Sequence, residues 1–376
     1  MSPAIALDKS EMLYHEIDTP AVMIDLEKME QNIHHMADRA RKFRVKLRPH
    51  VKTHKSPWIA HLQLTYGACG ITVAKLGEAE VMVDAGIHDI LVAYPIWGEE
   101  KLSRLSRLLD RAKVSLSLDS LEVAEGLSNL GKRKGIRIPI YLEIDTGMGR
   151  CGLKPGEGAR SLAQKLTEMD GLELIGLLTH AGHGYNAKSE EELRKIGLEE
   201  GGLLVELATI LRKEDGIEIR EISVGSTPTA RFVVEGPGIT ELRTGTYVFN
   251  DVGQIRAGSA SLENCAASVL VTVVGRPASH RAIIDGGSKT FTSDRRVGME
   301  EYGIIKGRSG LSFVRMSEEH GIIIMNEKAE DLKIGERLEI IPNHICSCIN
   351  LCDEIYGVRD GKLERVISIA ARGKSR

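Results

Sequence analysis

Eight short runs rich in β-branched residues, with an amphipathic helical pattern in nearly every gap, predict an α/β fold built on a closed, TIM-like (β/α)8 barrel. After about residue 255 the pattern changes to short strands separated by Gly-, Asn- and charge-rich turns, without a convincing helix. The sequence therefore predicts a barrel at 19–255 and a mostly antiparallel β domain at 256–376, which residues 1–18 join. An open doubly wound sheet is the alternative for the first part.

The elements follow one another in a regular order. The candidate barrel strands are 46–52, 70–75, 89–94, 114–120, 138–145, 172–180, 221–225 and 241–249. Charged stretches between them, such as 99–112 and 190–213, carry apolar residues at helical spacing. The candidate strands of the β domain are 267–276, 280–287, 319–325, 336–343 and 363–372. A strand-like run at 21–26 precedes the eight, and it can pair with the β domain instead.

Composition excludes several classes of protein. Of the 376 residues 42% are hydrophobic but only 4% aromatic, which indicates an ordinary aliphatic core. A net charge of −3 gives no reason to expect nucleic acid or an anionic membrane as a partner. No run has the apolar length of a membrane span, and the N-terminus lacks an export signal. Six cysteines in a chain of this length indicate reduced thiols, so we expect a cytoplasmic protein.

The segment Leu47–Lys55 places two lysines and two histidines directly after the first candidate barrel strand. An amine that is desolvated at the end of a buried strand becomes nucleophilic, and such an amine forms a Schiff base with the aldehyde of pyridoxal 5'-phosphate (PLP). A solvated basic loop is the alternative interpretation. Lys52 ends the strand, whereas Lys55 and Lys75 are competing candidates.

Two loops have the composition of a phosphate site. Strands seven and eight of a barrel commonly precede the loops that bind phosphate. Here strand seven runs into 223–229, and strand eight contains 243–247; both segments combine small residues with hydroxyls. Small residues allow close approach of the backbone, and a following helix N-terminus adds amides and a favourable dipole. Either loop alone is also compatible with an ordinary turn or N-cap.

An ordered set of motifs makes the chain resemble the fold type III PLP enzymes, and within them the D-threonine aldolase and D-serine dehydratase group. The motifs are RPHVKTHK (48–55), EIDTGMGRCG (143–152), LLTHAGHGY (177–185), SVGSTPTA (223–230), RTGTYVFND (243–251), SEEHG (317–321) and PNHIC (342–346). They span nearly the whole chain in the order that the family requires, and the set is far more specific than any one motif.

The resemblance implies a role for individual residues. Lys52 is the lysine that binds PLP, Arg150 lies near the phenolic oxygen of the cofactor, and His180 and Tyr185 face its ring. Arg243 contacts the pyridine nitrogen, which then stays unprotonated and makes the cofactor a weaker electron sink. Asp145 is either a supporting partner or a cap of the next helix. The remaining predicted PLP-binding residues are Ser223, Gly225, Ser226, Thr227, Gly245, Thr246 and Tyr247.

A metal site is predicted at His344 and Cys346. On an extended segment, residues two apart project to the same side, and imidazole with thiolate suits Zn²⁺. The family motif uses these two positions, so Cys348 and Cys352 are expected to pack. A purely structural zinc site made of all four residues is the alternative.

A metal bound to a β-hydroxyl promotes either loss of that hydroxyl or retro-aldol cleavage. In the family, His-x-Cys with zinc is typical of dehydratases and His-x-Asp with a harder ion of aldolases. The resemblance therefore implies a D-serine dehydratase-type lyase for β-hydroxy-D-amino acids, with D-threonine aldolase activity as the alternative. It also implies a homodimer in which one subunit's barrel faces the other's β domain.

Two functions of other classes are less compatible with the sequence. An amino-acid racemase needs a tyrosine base in the β domain, and neither Tyr302 nor Tyr356 lies in such a motif. A non-enzymatic PLP carrier of the single-barrel type has no use for the C-terminal domain or for the pair His344 and Cys346.

Overall fold

The computed structural model describes residues 16–295 and 298–376 and divides them into two compact units. The β unit contains residues 16–32, 248–256, 260–295 and 298–372, and it includes the first strand, β1 (Ala21–Asp25). The barrel unit contains residues 33–247, 257–259 and 373–376.

The barrel unit is an eight-stranded, wholly parallel sheet in the order β2-β9-β8-β7-β6-β5-β4-β3. Its strands are β2 (Lys46–Leu47), β3 (Ile71–Val73), β4 (Asp89–Val92), β5 (Lys113–Leu118), β6 (Ile138–Glu143), β7 (Leu172–Leu178), β8 (Glu221–Val224) and β9 (Glu241–Leu242). Beyond β2, His50 forms a parallel bridge with Thr72, and Thr72 N–H donates to Pro49 O at 2.7 Å. These contacts join the segment after β2 to β3, the two strands at the ends of this order, and they close the ring. The predicted closed barrel is confirmed, and the open doubly wound sheet is wrong.

Helices follow the strands as the periodicity predicts. They are α1 (Leu26–Phe43), α2 (Pro57–Thr65), α3 (Leu76–Asp84), α4 (Glu99–Leu109), α5 (Leu121–Lys134), α6 (Glu157–Thr167), α7 (Glu190–Lys213) and α8 (Ala230–Val233). The core of the barrel unit is aliphatic. Fully buried members of it include Ile71, Ile90, Leu116, Ile140, Leu177, Ile222 and Leu242. Among the described residues, no helix is long and apolar enough to cross a bilayer.

The β unit is a nine-stranded sheet whose pairs are antiparallel except for one. Its later strands are β10 (Ala267–Ala278), β11 (Arg281–Ile284), β12 (Gly303–Ile305), β13 (Leu311–Met316), β14 (Gly321–Met325), β15 (Arg337–Pro342), β16 (Glu354–Arg359) and β17 (Lys362–Ser368). β1 pairs antiparallel with β10 and parallel with β16. Short helices α9 (Val252–Arg256), α10 (Ser288–Phe291) and α11 (Ile345–Ile349) also lie in this unit. The mostly antiparallel β domain is thus confirmed.

Several local expectations were wrong. Strands β12, β13 and β16 were not predicted, and neither were the short helices α10 and α11. In β16 the reason is visible, because Gly357 interrupts the strand pattern. A Cβ at this position would lie 2.8 Å from Leu26 Cδ2, so the Leu26 side chain packs into the space that glycine leaves.

The observed units also differ from the predicted boundaries. Residues 19–32 and 248–255 fall in the β unit, and residues 373–376 in the barrel unit, where Arg376 O accepts from Gly77 N–H at 2.8 Å. The pairing of β1 with β10 links segments far apart along the chain, which local periodicity does not reveal. Of the predicted N-terminal extension of the β domain, residues 1–15 lie outside the described part.

Candidate active site

Lys52 lies in a short 3-10 turn, Val51–Thr53, directly after the backbone bridge of His50. The strand itself ends earlier than predicted, so Lys52 is presented by the turn and not by the last strand residue. His50 has extended backbone and caps the turn, with its Nδ1 accepting from Lys52 N–H at 3.4 Å. The Lys52 side chain is half-buried.

The two competing lysines have partners of their own. Lys55 Nζ lies 3.5 Å from Glu78 Oε1, and both side chains are buried. Lys75 Nζ lies 3.4 Å from the centroid of the Tyr94 ring, a cation–π contact. Both competing amines therefore have a contact with a named side chain of the barrel unit. Lys52 remains the candidate for Schiff-base formation because of its place in the motif at 48–55.

Cationic groups converge around Lys52 from several strand ends. Burial, followed by the charges of Lys52, Arg150 and Arg243, lowers the pKa of His180 to about 3, although its hydrogen bond to Gly225 opposes the shift. Burial and the same three cations hold the pKa of His50 well below its usual value. Both imidazoles are therefore neutral, and Lys52, Arg150 and Arg243 are close enough to act on both rings. Such a set of cations favours a ligand with several negative charges.

The turn after β8 is organised by a buried carboxylate that the sequence did not reveal. Glu200, on α7, accepts from Gly225 N–H at 2.7 Å, Thr229 Oγ1 at 2.8 Å and Ala181 N–H at 3.3 Å. Gly225 has φ +119°, a conformation that favours glycine. Ser226 completes the turn, its hydroxyl lying 3.0 Å from Thr229 Oγ1.

The turn that Glu200 holds also contacts His180, through the carbonyl of Gly225. His180 Nδ1 lies 3.1 Å from Gly225 O, and because a carbonyl only accepts, Nδ1 carries the proton. The lone pair on Nε2 is then available to a ligand. The glycines Gly197 and Gly201 on the same helix allow α7 to pack closely, since a Cβ on either would lie 3.0 Å from a neighbouring side-chain atom. Those glycines, which flank Glu199 and Glu200 within an otherwise charged helix, were the one signal in the sequence.

The loop after β9 contacts both the Lys52 turn and the β8 turn. A Cβ on Gly245 would lie 2.9 Å from His50 O, and Tyr247 N–H donates to Thr227 Oγ1 at 3.2 Å. Thr246 Oγ1 lies 3.5 Å from the Tyr185 hydroxyl. The predicted cofactor loops are therefore brought together. The Tyr247 hydroxyl, however, accepts from Gln63 Nε2 at 2.9 Å, so only its backbone amide joins the loops.

A buried relay fixes Arg243. Its Nε donates to Ser223 Oγ at 2.8 Å and its guanidinium donates to Thr179 O at 2.6 Å. Ser223 in turn donates to Glu241 at 2.7 Å, and Arg48 donates to the same carboxylate at 2.7 Å. The Ser223 hydroxyl thus has partners on both sides and positions Arg243, and its contact with the cofactor stays a prediction.

The DTGMGR loop is shaped by Asp145. Its carboxylate accepts from the amides of Gly147, Met148 and Gly149 at 2.8–3.1 Å. The next helix begins only at Glu157, so Asp145 caps a turn and not that helix. The turn holds Arg150. Its side chain is exposed, but its charge lowers the pKa of His50 and of His180.

Residues in the described barrel unit fit PLP. Thr244 Oγ1 and His183 Nδ1 are buried and have no hydrogen-bond partner among the described residues. Buried polar atoms without a partner are costly, and a polar ligand would satisfy them. Together with three converging cations and two interlocked small-residue loops, they suit a phosphate and a phenolate.

His344 and Cys346 lie at the beginning of α11 in the β unit. His344 has extended backbone and is the N-cap, but Cys346 belongs to the first helical turn. The prediction of one extended segment was therefore wrong. His344 Nδ1 lies 2.5 Å from Asp294 Oδ2, a partner that the sequence did not reveal. Imidazole and thiolate so close in sequence fit a divalent ion, with its other positions left to water or substrate.

The neighbouring cysteines behave as packing residues. Cys348 is fully buried, with its thiol donating to Phe291 O at 3.4 Å, and Cys352 donates to Cys348 O at 3.4 Å. Within residues 16–295 and 298–376, no three His, Cys, Asp or Glu side chains are grouped to hold a metal. The described structure therefore does not support the four-ligand structural zinc site.

Comparisons with known proteins decide the family. The chain matches the family model "Alanine racemase, N-terminal domain" over residues 24–252 and "Putative serine dehydratase domain" over 266–358. The chain belongs to the alanine racemase-like, fold type III family of PLP enzymes. Within this family it is a PLP-dependent lyase of D-amino acids.

Individual relatives agree with that branch of the family. The lyase is 34% identical to a D-threonine aldolase of Arthrobacter sp over 96% of this chain and 94% of the relative. It is 37% identical to the D-threo-3-hydroxyaspartate dehydratase of Delftia sp. (strain HT23), over 88% of this chain and 91% of the relative. The solved D-threonine aldolase of Filomicrobium marinum superposes with a TM-score of 0.91 at 30% identity. The superposition covers 98% of this chain and 100% of the aldolase chain. One solved variant of the Delftia dehydratase is described as a metal-free form.

Proposed function

We propose that this lyase dehydrates β-hydroxy-D-amino acids of the D-serine type, with PLP in the barrel unit and a zinc ion at His344 and Cys346. The observation that carries the proposal is the placement of His344 at the N-cap of α11 and of Cys346 in its first turn, two residues apart. A soft thiolate selects zinc, and zinc as a Lewis acid makes a β-hydroxyl a better leaving group. A related dehydratase for which a metal-free form is described supports a metal requirement.

PLP, when bound, supplies an electron sink for the electron pair left at Cα once its proton is removed. Lys52 would hold the cofactor covalently, and its Nζ is the amine within the cationic group that can accept the Cα proton. Arg150 would stabilise the phenolic oxygen. Arg243, held by Ser223 and Thr179, would donate to the ring nitrogen and keep it unprotonated.

The remaining barrel residues would position the cofactor. The loops that contain Ser226, Thr227, Gly245 and Thr246 would contact the phosphate, and the amide of Tyr247 keeps the two loops together. Gly225 would shape the first loop, because Glu200 and His180 engage its N–H and its carbonyl. His180 and Tyr185 would face the ring. His180 stays neutral because its pKa is lowered by burial and by the neighbouring cations. A neutral imidazole there accepts through Nε2 and adds no further charge.

Retro-aldol cleavage to glycine and an aldehyde is the second candidate. It needs the same PLP site and a metal that lowers the pKa of the β-hydroxyl, so that the alkoxide expels the Cα electron pair. The D-threonine aldolase relatives favour it. The two reactions differ in whether the oxygen leaves as water or remains on the departing carbonyl.

A product assay separates them. The zinc-loaded holoenzyme is incubated with D-serine, D-threonine and D-threo-3-hydroxyaspartate, and with the L-isomers as controls. We expect 2-oxo acid and ammonia in equal amounts from the D-isomers. Glycine and aldehyde as the main products would overturn the dehydratase assignment and support the aldolase, and products from the L-isomers would contradict the substrate class.

We further propose a homodimer with shared sites, in which His344 and Cys346 of one subunit serve Lys52 of the other. Co-expression of Lys52→Ala and His344→Ala chains tests it. Half of randomly assembled dimers are mixed, and each mixed dimer then has one intact site, so about a quarter of wild-type activity is expected. Absence of activity in purified mixed dimers would contradict a shared site.

A further inference from the structure

Asp294 forms a short contact with the imidazole of His344 in the β unit. Oδ2 lies 2.5 Å from Nδ1, with the carboxylate 43% and the imidazole 26% exposed. The Ser347 hydroxyl lies 3.4 Å from the same nitrogen. An ionised carboxylate has acceptors only, so Nδ1 carries the proton and donates it to Asp294. The tautomer that results leaves the lone pair of the ring on Nε2.

The contact is built by two neighbouring short helices. Asp294 follows α10, and its amide donates to Thr292 Oγ1 at 3.2 Å within a turn where Thr292 has φ +64°. The end of α10 is held against α11 because the Cys348 thiol donates to Phe291 O. On the other side, Asp251 Oδ2 accepts from Ile345 N–H at 3.1 Å and holds the start of α11. Both partners of the contact are therefore positioned by packing that involves other residues.

We propose that Asp294 is a positioning residue for the metal ligand His344: it fixes the Nδ1–H tautomer and directs Nε2 to the ion. The proposal rests on the metal site proposed above. Metal-bound histidines generally donate their second ring N–H to a carboxylate or carbonyl, which orients the ring and raises its basicity. Asp294 occupies that place relative to His344, although it comes from a separate loop fifty residues earlier in the chain.

Asp294 is not assigned as a third ligand. Its Oδ2 is engaged with His344 Nδ1, and Asp294, His344 and Cys346 do not form a metal-binding group of three among the described residues. The ion then has only two protein donors, and its affinity depends strongly on how well each is oriented. Loss of the orienting carboxylate is expected to weaken metal binding without removing either donor.

Metal affinity of the metal-stripped holoenzyme, with PLP retained, tests the proposal. Zn²⁺ affinity is measured by chelator competition, and Co²⁺ serves as a second probe because its thiolate absorption reports ligation by Cys346. The variants are Asp294→Ala, Asp294→Asn and His344→Ala. Asp331→Asn is the matched control, because it removes one negative charge from the same unit at a carboxylate that pairs with Arg276.

We expect Asp294→Ala to weaken Zn²⁺ binding by about 10- to 100-fold. Asp294→Asn keeps an acceptor for Nδ1–H and should lose several-fold, while the control keeps wild-type affinity. PLP absorption and the melting temperature should not change. If Asp294→Ala binds Zn²⁺ as the wild type does while His344→Ala does not, the role of Asp294 is wrong and the metal site stands. If His344→Ala also keeps wild-type affinity, the metal site itself is wrong. Should Asp294→Ala fail to fold, wild-type affinity in Asp294→Asn overturns the proposal.

Discussion

The barrel unit assembles its candidate site from the loops after β2, β6, β7, β8 and β9, whereas the β unit presents two candidate metal ligands only two residues apart. In the barrel unit, buried carboxylates hold the loops to one another: Glu200 joins the β7 and β8 loops, and Glu241 supports Arg243 through Ser223. In the β unit, Asp294 contacts His344 and Asp251 holds the start of α11, each from a distant segment. The difference indicates that the proposed PLP site is fixed by the fold, while the proposed metal site would depend on its ion to complete the ligand set.

This comparison predicts that the two sites can be lost separately. Changes in the barrel unit should affect PLP binding, and those near Glu200 should also affect stability. Changes at the start of α11 should affect turnover while the fold and the bound PLP persist. The following predictions test that separation, beginning with the largest effect.

Lys52→Ala should abolish the visible absorption of bound PLP and its reaction with borohydride. Turnover should fall by about 10²–10⁴-fold or more, because a covalent anchor and a proton-transfer group are lost together. Absorption spectra and single-substrate kinetics measure both. Lys55→Ala and Lys75→Ala are the controls, since those amines contact Glu78 and Tyr94. Loss of the band in either control, with the band kept in Lys52→Ala, would show that the assignment is wrong.

His344→Ala should stop turnover, while the variant keeps its bound PLP and the wild-type melting temperature. Chelator-treated wild type should show the same three results. The reason is that a two-donor site adds little to folding, in contrast to a closed four-ligand zinc site. Replacing Cys346 with Asp should shift metal preference toward Mn²⁺ or Mg²⁺, because a carboxylate is a harder ligand. Unfolding of both the variant and the chelated enzyme would instead favour a structural ion.

The sequence predicted the barrel unit better than the β unit, for physical reasons. Strand and helix periods are local, so all eight barrel strands and the long helices were found, and the motif residues Lys52, His180 and Arg243 do meet around one place. Buried acids such as Glu200 and Glu241 lie within charged or short stretches, and only their partners across the barrel show that they are internal. In the β unit, the pairing of β1 with β10 and the contact of Asp294 with His344 are long-range. No local pattern predicts either.

Glu200→Gln should change how stability depends on pH. Burial raises the pKa of Glu200 to about 6 from 4.5, although three hydrogen bonds oppose the shift. Between these values the unfolded chain loses the proton first, so the folded state of the wild type becomes less stable as pH rises from about 4.5 to 6, by about 2 kcal/mol. The neutral amide lacks this contribution. Denaturant unfolding of both proteins at several pH values measures it, and a pH-independent difference between them would contradict the raised pKa.

Cys348→Ala should have the smallest effect and should sharpen the contrast between the two kinds of thiol in α11. Cys348 is fully buried and its thiol donates to Phe291 O, so alanine leaves a small cavity and removes a weak hydrogen bond. We expect a loss of about 1–2 kcal/mol of unfolding free energy. Metal stoichiometry should stay at the wild-type value, whereas Cys346→Ala should lose the metal at little cost in stability. Because Cys348 also holds α10 against α11, a modest fall in metal affinity is compatible with its role, but complete loss of the ion would make Cys348 a ligand. Titration with Zn²⁺ beside denaturant unfolding of both variants therefore decides which thiol binds and which one packs.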